Sequence, residues 1–137
     1  MNIKHIKSYN KKVVSWKEVF ENFNWSVNNK DDIKFNDFGF FVSHRADLMK
    51  KVKLVLEDLK CNSAHLYFNI ITKAKTFGPH RDTMDVWFWQ CQGKTKWVIE
   101  DKKEYILSPG DLIFVPKNIQ HEVVPLSPRA GISMAKE

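Results

Sequence analysis

From His65 to Ala135 the chain breaks into short segments rich in β-branched and aromatic residues, separated by Gly and Pro. His65–Thr72, Met84–Gln92, Lys94–Glu100, Glu104–Leu107, Leu112–Val115, His121–Val124 and Ala130–Ala135 read as strands. Ser108-Pro109-Gly110-Asp111 and Pro116-Lys117-Asn118 read as turns, so Leu112–Val115 is held between two reversals. So many short strands in so little chain imply a sandwich or a barrel.

The first 62 residues have a different texture. Ser15-Trp16-Lys17-Glu18 is a capping-box pattern, and Trp16, Val19, Phe20 and Phe23 follow at helical spacing, which predicts a short amphipathic helix. Asn24–Asp37 is polar and turn-rich, and Phe38–Val42 reads as a strand. A second helix over Ala46–Leu59 would bury Leu48, Val52, Val55, Leu56 and Leu59. The expected organisation is one mainly β domain over residues 1–137: a helical flank, 1–62, packed on a jelly-roll core, 63–137. The helix bearing Trp16, Phe20 and Phe23 would cover a face or edge of the sheet, or serve a homodimer interface.

Composition narrows the function classes. With 43% hydrophobic and 28% charged residues the chain is a globular domain, not a disordered polyampholyte. No apolar run approaches the roughly 20 residues of a bilayer span, and the lysine-rich start has no apolar h-region, so a cytoplasmic protein without membrane partner or targeting segment is expected. Cys61 and Cys91 lack C-x-x-C spacing and fit a reducing compartment, Cys91 as a small buried apolar residue. The net charge of +6 is spread over the whole length and is carried almost wholly by lysine, without the basic stripe of a nucleic-acid reader, so nucleic acid is not expected as a partner.

Gly78-Pro79-His80-Arg81-Asp82 carries the sharpest chemistry. In extended chain His80 and Asp82 leave the same face, so an imidazole and a carboxylate converge. His121, after a strand and a turn, is placed to supply a third ligand from a neighbouring strand. Two histidines and one carboxylate form the facial set that leaves open positions on non-haem Fe(II). H-x-D also occurs by chance, and a lone histidine is commonly structural. His5, His44 and His65 have no ligand-type neighbour at useful spacing and read as structural or surface residues. Trp87, Trp89 and Trp97 read as packing rather than as an aromatic substrate platform, Asp85 as a solvated turn or an outer partner to a ligand histidine, and Glu122 as exposed on the face opposite His121.

Residues 66–134 resemble the cupin-like JmjC family of 2-oxoglutarate oxygenases, particularly the ribosomal oxygenases. The resemblance lies in Gly78-Pro79-His80-x-Asp82, the strand Asp85–Gln90, the turn and strand Gly93-Lys94-Thr95-Lys96-Trp97, and Gly110-Asp111-(x4)-Pro116-(x4)-His121-Glu122. It implies a double-stranded β-helix with the metal at its mouth. It also implies ligands His80, Asp82 and His121, with Fe(II) and 2-oxoglutarate as cofactor and co-substrate. The activity implied is hydroxylation of a protein or small-molecule substrate. The chain is shorter than typical members, so the substrate is not carried over.

One departure stands out. Where the family has a Lys or Arg to pair with the distal carboxylate of 2-oxoglutarate, this sequence has Thr95. Strand alternation sends Lys94 and Lys96 to the other face. Arg129, Lys73 and Lys75 are the cations placed to substitute, with Thr95, Ser133, Asn69 and Tyr67 as further cavity residues. Without such an anchor, two other readings stand: a metal-binding cupin using a different small ligand, or a non-catalytic binding module.

Overall fold

The computed structural model describes residues 2–36, 39–72, 76–100 and 102–137; Lys73 and Lys75 lie outside them. Among the described residues ten strands form: β1 (Lys4–Ile6), β2 (Lys34–Phe35), β3 (Phe40–Ser43), β4 (Ser63–Asn69), β5 (Val86–Gln92), β6 (Thr95–Ile99), β7 (Glu104–Leu107), β8 (Leu112–Val115), β9 (His121–Pro125) and β10 (Arg129–Ala135). Helices α1 (Trp16–Asn28) and α2 (Lys50–Leu59) precede β2 and β4. All pairings are antiparallel, in a seven-stranded sheet ordered β1-β8-β5-β10-β4-β3-β2 and a three-stranded sheet ordered β7-β6-β9. This is the expected jelly roll with a helical flank.

The larger sheet is buried on both faces, and its central strand sequences read accordingly. In β5, Trp89 and Cys91 pack outward among Val14, Val19, Val52, Val55 and Leu56 of the helical layer. Phe88 turns inward to Trp97, Ile99, Leu107 and Ile113 between the sheets. A strand covered twice shows a continuous apolar run, whereas β6, with one covered face, alternates. Gly131 in β10 is fixed by packing: a Cβ there would lie 2.2 Å from the Phe88 ring, beside a register shift in the β10–β5 pairing.

The capping box at Ser15 forms as the sequence predicts, its hydroxyl accepting from the Glu18 amide and the Glu18 carboxylate accepting from the Ser15 amide. Glu18 also accepts from Lys51 Nζ at 2.7 Å, tying α1 to α2. Helix α1 runs past Phe23 to Asn28, through a stretch expected to be turn. Its buried face continues on polar residues, Asn22 and Ser26, rather than on the apolar ones that mark a helix in sequence; Asn22 donates to the Arg45 carbonyl. The second predicted helix is instead a 3₁₀ turn, Ala46–Leu48, followed by α2, and the break leaves Leu48 exposed while Val52, Val55 and Leu56 are buried.

Strands β1 and β2 were not predicted. The first is held from outside by Asp111, which accepts from the backbone amides of Ser8 and Ser108 and lies 3.4 Å from His5 Nε2. No helix among the described residues is long and apolar enough to cross a membrane.

Candidate metal centre and anion floor

Register locates the two ends of the space between the sheets. Along β4 and β10 the pairs run Ser63–Ala135, His65–Ser133, Tyr67–Gly131 and Asn69–Arg129. Strand β5 begins at Val86, just after Asp82, at the Ser63–Ala135 end, so His80 and Asp82 stand at that end and Arg129 begins β10 at the other. A cavity of about 430 Å³ runs between them, lined among others by Tyr67, Phe77, Phe88, Trp97, Arg129 and Ser133.

The mouth gathers the three residues the sequence singled out. His80 and His121 exchange two backbone hydrogen bonds, 3.0 and 2.9 Å, which bring the loop of the first ligand onto the start of β9. Their rings are 4.4 Å apart between centroids. Asp82 lies between the two imidazoles, Oδ1 3.7 Å from His80 Nε2 and Oδ2 3.2 Å from His121 Nε2. One ligand atom from each of the three lies within 4.8 Å of the others. The hydrogen bond with His121 holds the Asp82 carboxyl below the usual carboxylate range, against the opposing effect of burial.

The remaining ring nitrogens are committed to the backbone: His80 Nδ1 to the Gly78 carbonyl at 2.8 Å and His121 Nδ1 to the Ile119 carbonyl at 2.9 Å. Carbonyls only accept, so each Nδ1 donates, and each Nε2, the nitrogen turned toward Asp82, is the one left to ligate a metal in place of that contact. Trp97 stacks on His121 at 5.5 Å and 20°. This donor set fits a divalent first-row metal with open positions, Fe(II) included.

The floor is cationic. Arg129 is 1% exposed, with its guanidinium over the Phe40 ring at 5.4 Å and the Phe88 ring at 6.0 Å. Its Nε donates to Asn69 Oδ1 at 2.6 Å, and Asn69 Nδ2 donates to the Ile71 carbonyl. Nη1 is buried with no hydrogen-bond partner among the described residues. Burial pulls the guanidinium down to about 10, with Tyr67 acting weakly the other way. Such a group is costly unless an anion completes it.

The other sequence-derived residues divide. Tyr67 and Ser133 both line the cavity; burial raises the Tyr67 phenol, with Ser133 acting the other way, which keeps it neutral. Thr95 does not reach the wall. It faces inward but lies four residues along β6 from Ile99, the partner of His121, about 13 Å away by strand rise. Its short side chain ends on Gln90 Oε1 at 2.9 Å. Asn69 is also absent from the wall and acts on the cavity only through Arg129.

Lys96 pairs with Glu104, as strand alternation requires. Asp85 is exposed and accepts from the Lys117 amide, so it is no outer partner to a ligand. Glu122 is half-buried. Two residues read as structural belong to the cavity wall: His65, through inward alternation on β4, and Trp97. Phe77 was missed altogether, because an isolated aromatic in a loop carries no periodic signal.

A jelly roll with a two-histidine, one-carboxylate set at its mouth defines the class: a cupin fold with a candidate metal centre. Residues 66–130 match the family model described as the cupin domain. No curated protein sequence matches the chain. Among solved structures, a ribosomal oxygenase from Escherichia coli, YcfD, in complex with cobalt and 2-oxoglutarate, is similar with TM-score 0.82 at 14% identity, over 99% of this chain and 48% of that one. The same protein with cobalt and succinic acid gives 0.80 at 15% identity, over 98% and 48%. KdgF from Halomonas sp. gives 0.54 at 19% identity, over 80% and 93%. The present chain thus spans about half the length of the ribosomal oxygenase structures. At these identities the likeness establishes the fold.

Proposed function

We propose that the chain is an Fe(II)- and 2-oxoglutarate-dependent oxygenase that hydroxylates its substrate. The observation that carries this reading is that one cavity joins a His-Asp-His set at its mouth to a buried guanidinium at its floor whose Nη1 has no hydrogen-bond partner among the described residues. His80, Asp82 and His121 would hold the iron, and Arg129 would pair with the distal carboxylate of 2-oxoglutarate. Iron bound there supplies the redox chemistry that couples oxidative decarboxylation of 2-oxoglutarate, to succinate and CO2, to oxygen insertion into a substrate C–H bond.

The chain's own residues do the rest. The Nδ1 bonds to Gly78 and Ile119 fix both imidazoles in the ligating tautomer. Asn69 orients the guanidinium. The aromatic walls from Phe40, Phe88 and Trp97 keep water from the carboxylate–guanidinium pair, which makes that pair stronger than it would be in solvent. Arg129, entering from the larger sheet, supplies the cation that Thr95 does not. The ligands of the E. coli ribosomal oxygenase structures, cobalt with 2-oxoglutarate or succinic acid, are of the chemistry these two ends suit.

The test is an anaerobic titration of the metal-free protein with Fe(II) and then 2-oxoglutarate, followed by visible absorption. The expected result is the charge-transfer band of an iron–keto-acid chelate, lost in His80→Ala. Iron binding without a band at saturating 2-oxoglutarate would sink the oxygenase reading in favour of a cupin acting on another small ligand.

A further inference from the structure

Phe77 lines the cavity between its metal-binding mouth and its cationic floor. Phe77 stands edge to face against three rings: Phe40 at 5.4 Å and 84°, Tyr67 at 5.7 Å and 75°, and His80 at 5.7 Å and 77°. These neighbours span the site. Phe40 covers the Arg129 guanidinium, Tyr67 occupies the middle row, and His80 is a ligand residue. Yet Phe77 is 51% exposed, so one side of the ring forms cavity wall while the other meets water.

The backbone around it is held at both ends. Thr76 Oγ1 donates to the Val123 carbonyl at 2.8 Å, and His80 is locked to His121. Between them Gly78 has φ +73°, and nothing lies within 4 Å of where a Cβ would be. The chain therefore bends at Gly78 without packing constraint, and Phe77 sits beside that bend.

We propose that Phe77 is the positioning residue that seals the site over a bound 2-oxo diacid, an inference that rests on the oxygenase reading above. A ligand reaching from the triad to Arg129 runs past the Phe77 ring, because that ring touches residues at the mouth, the middle and the floor. The ring shields the carboxylate–guanidinium pair from solvent and limits the escape of the diacid. It contributes no ligand atom, so its removal acts on the diacid and not on the metal.

The test uses cobalt-loaded protein, titrated calorimetrically with 2-oxoglutarate without turnover. Phe77→Ala is expected to bind Co(II) within about twofold of the wild type and 2-oxoglutarate about tenfold more weakly, the effect of removing a ring from the ligand's cover. Phe77→Tyr, which keeps the ring, is expected to retain both affinities. Unchanged 2-oxoglutarate affinity in Phe77→Ala overturns the inference. So does an equal loss of cobalt and diacid affinity, which would make Phe77 a mere support for His80. Absence of 2-oxoglutarate binding in the cobalt-loaded wild type instead overturns the oxygenase reading itself, and this inference with it.

Discussion

Replacing Arg129 by methionine separates function from stability by moving them in opposite directions. Methionine has similar reach, no charge and an affinity for aromatic surroundings such as Phe40 and Phe88. Depressing a guanidinium from 12.5 to about 10 corresponds to about 3 kcal/mol spent at neutral pH to keep the buried group charged. The substitution removes that cost and forfeits the charged hydrogen bond to Asn69, worth about 1.5 kcal/mol. The ligand-free variant is therefore expected to be about 1–2 kcal/mol more stable by urea denaturation.

Affinity for 2-oxoglutarate moves the other way. Removing one partner of a buried charge pair costs about 2–5 kcal/mol, at least thirtyfold in Kd by calorimetry on cobalt-loaded protein. The sign of the pH dependence follows from linkage. Below about 10 the folded protein carries the charge and its penalty in full. As pH rises through that value the folded form releases a proton that the unfolded form still holds, so the wild type recovers stability and the gap to the variant narrows. A variant less stable than the wild type at pH 7, with unchanged 2-oxoglutarate affinity, would refute the argument and make Arg129 a purely structural cation.

Two further expectations concern the scaffold. Partial burial pushes the Asp111 carboxyl up, but the Ser108 and Ser8 amides and His5 hold it below its ordinary value, so its contribution is present above about pH 4 and lost as pH falls through the lowered value. Asp111→Asn should therefore cost about 1.5–3 kcal/mol at pH 7, and the two unfolding curves should converge once the pH has fallen through the lowered value; a difference independent of pH would refute the charge-based account. Gly131→Ala must displace Phe88 from its 2.2 Å approach, and with it one wall of the guanidinium pocket; a loss of about 1–3 kcal/mol by thermal melting is expected, and a neutral result would show that the wall yields.

The sequence was most legible where short-range rules decide structure. Glu104–Leu107 and Leu112–Val115 have the strand limits read from their flanking turns, and the Ser15 cap forms from four consecutive residues. His80 and Asp82 could be paired from spacing alone, and Arg129 was among the cations named once Thr95 was seen to lack a charge. What was not legible depends on register between distant strands. Whether His65 and Trp97 face a cavity or a packed core follows from β4 pairing with β10 and β6 with β9, partners about 65 and 25 residues away. Helix α1 was underread because Asn22 and Ser26 carry its buried stripe. The short strands β1 and β2 have no pattern of their own and exist because β8 and β3 offer an edge.

The reciprocal backbone bonds between His80 and His121 also decide what kind of mechanical object the mouth is. Two imidazoles whose main chains are laced together cannot drift apart while the lacing holds, so their mutual spacing is set when the chain folds. The carboxylate of Asp82 has no main-chain tether of that kind; its backbone carbonyl is fixed by the Asn118 amide at 2.8 Å, while its oxygens are held by contacts to the two imidazoles, which an ion would replace. The mouth is thus a rigid pair of jaws with one adjustable pin, and the entropy of gathering the jaws is charged to folding, not to capture of an ion. Ions differing in radius would then be distinguished by how far that single pin must turn.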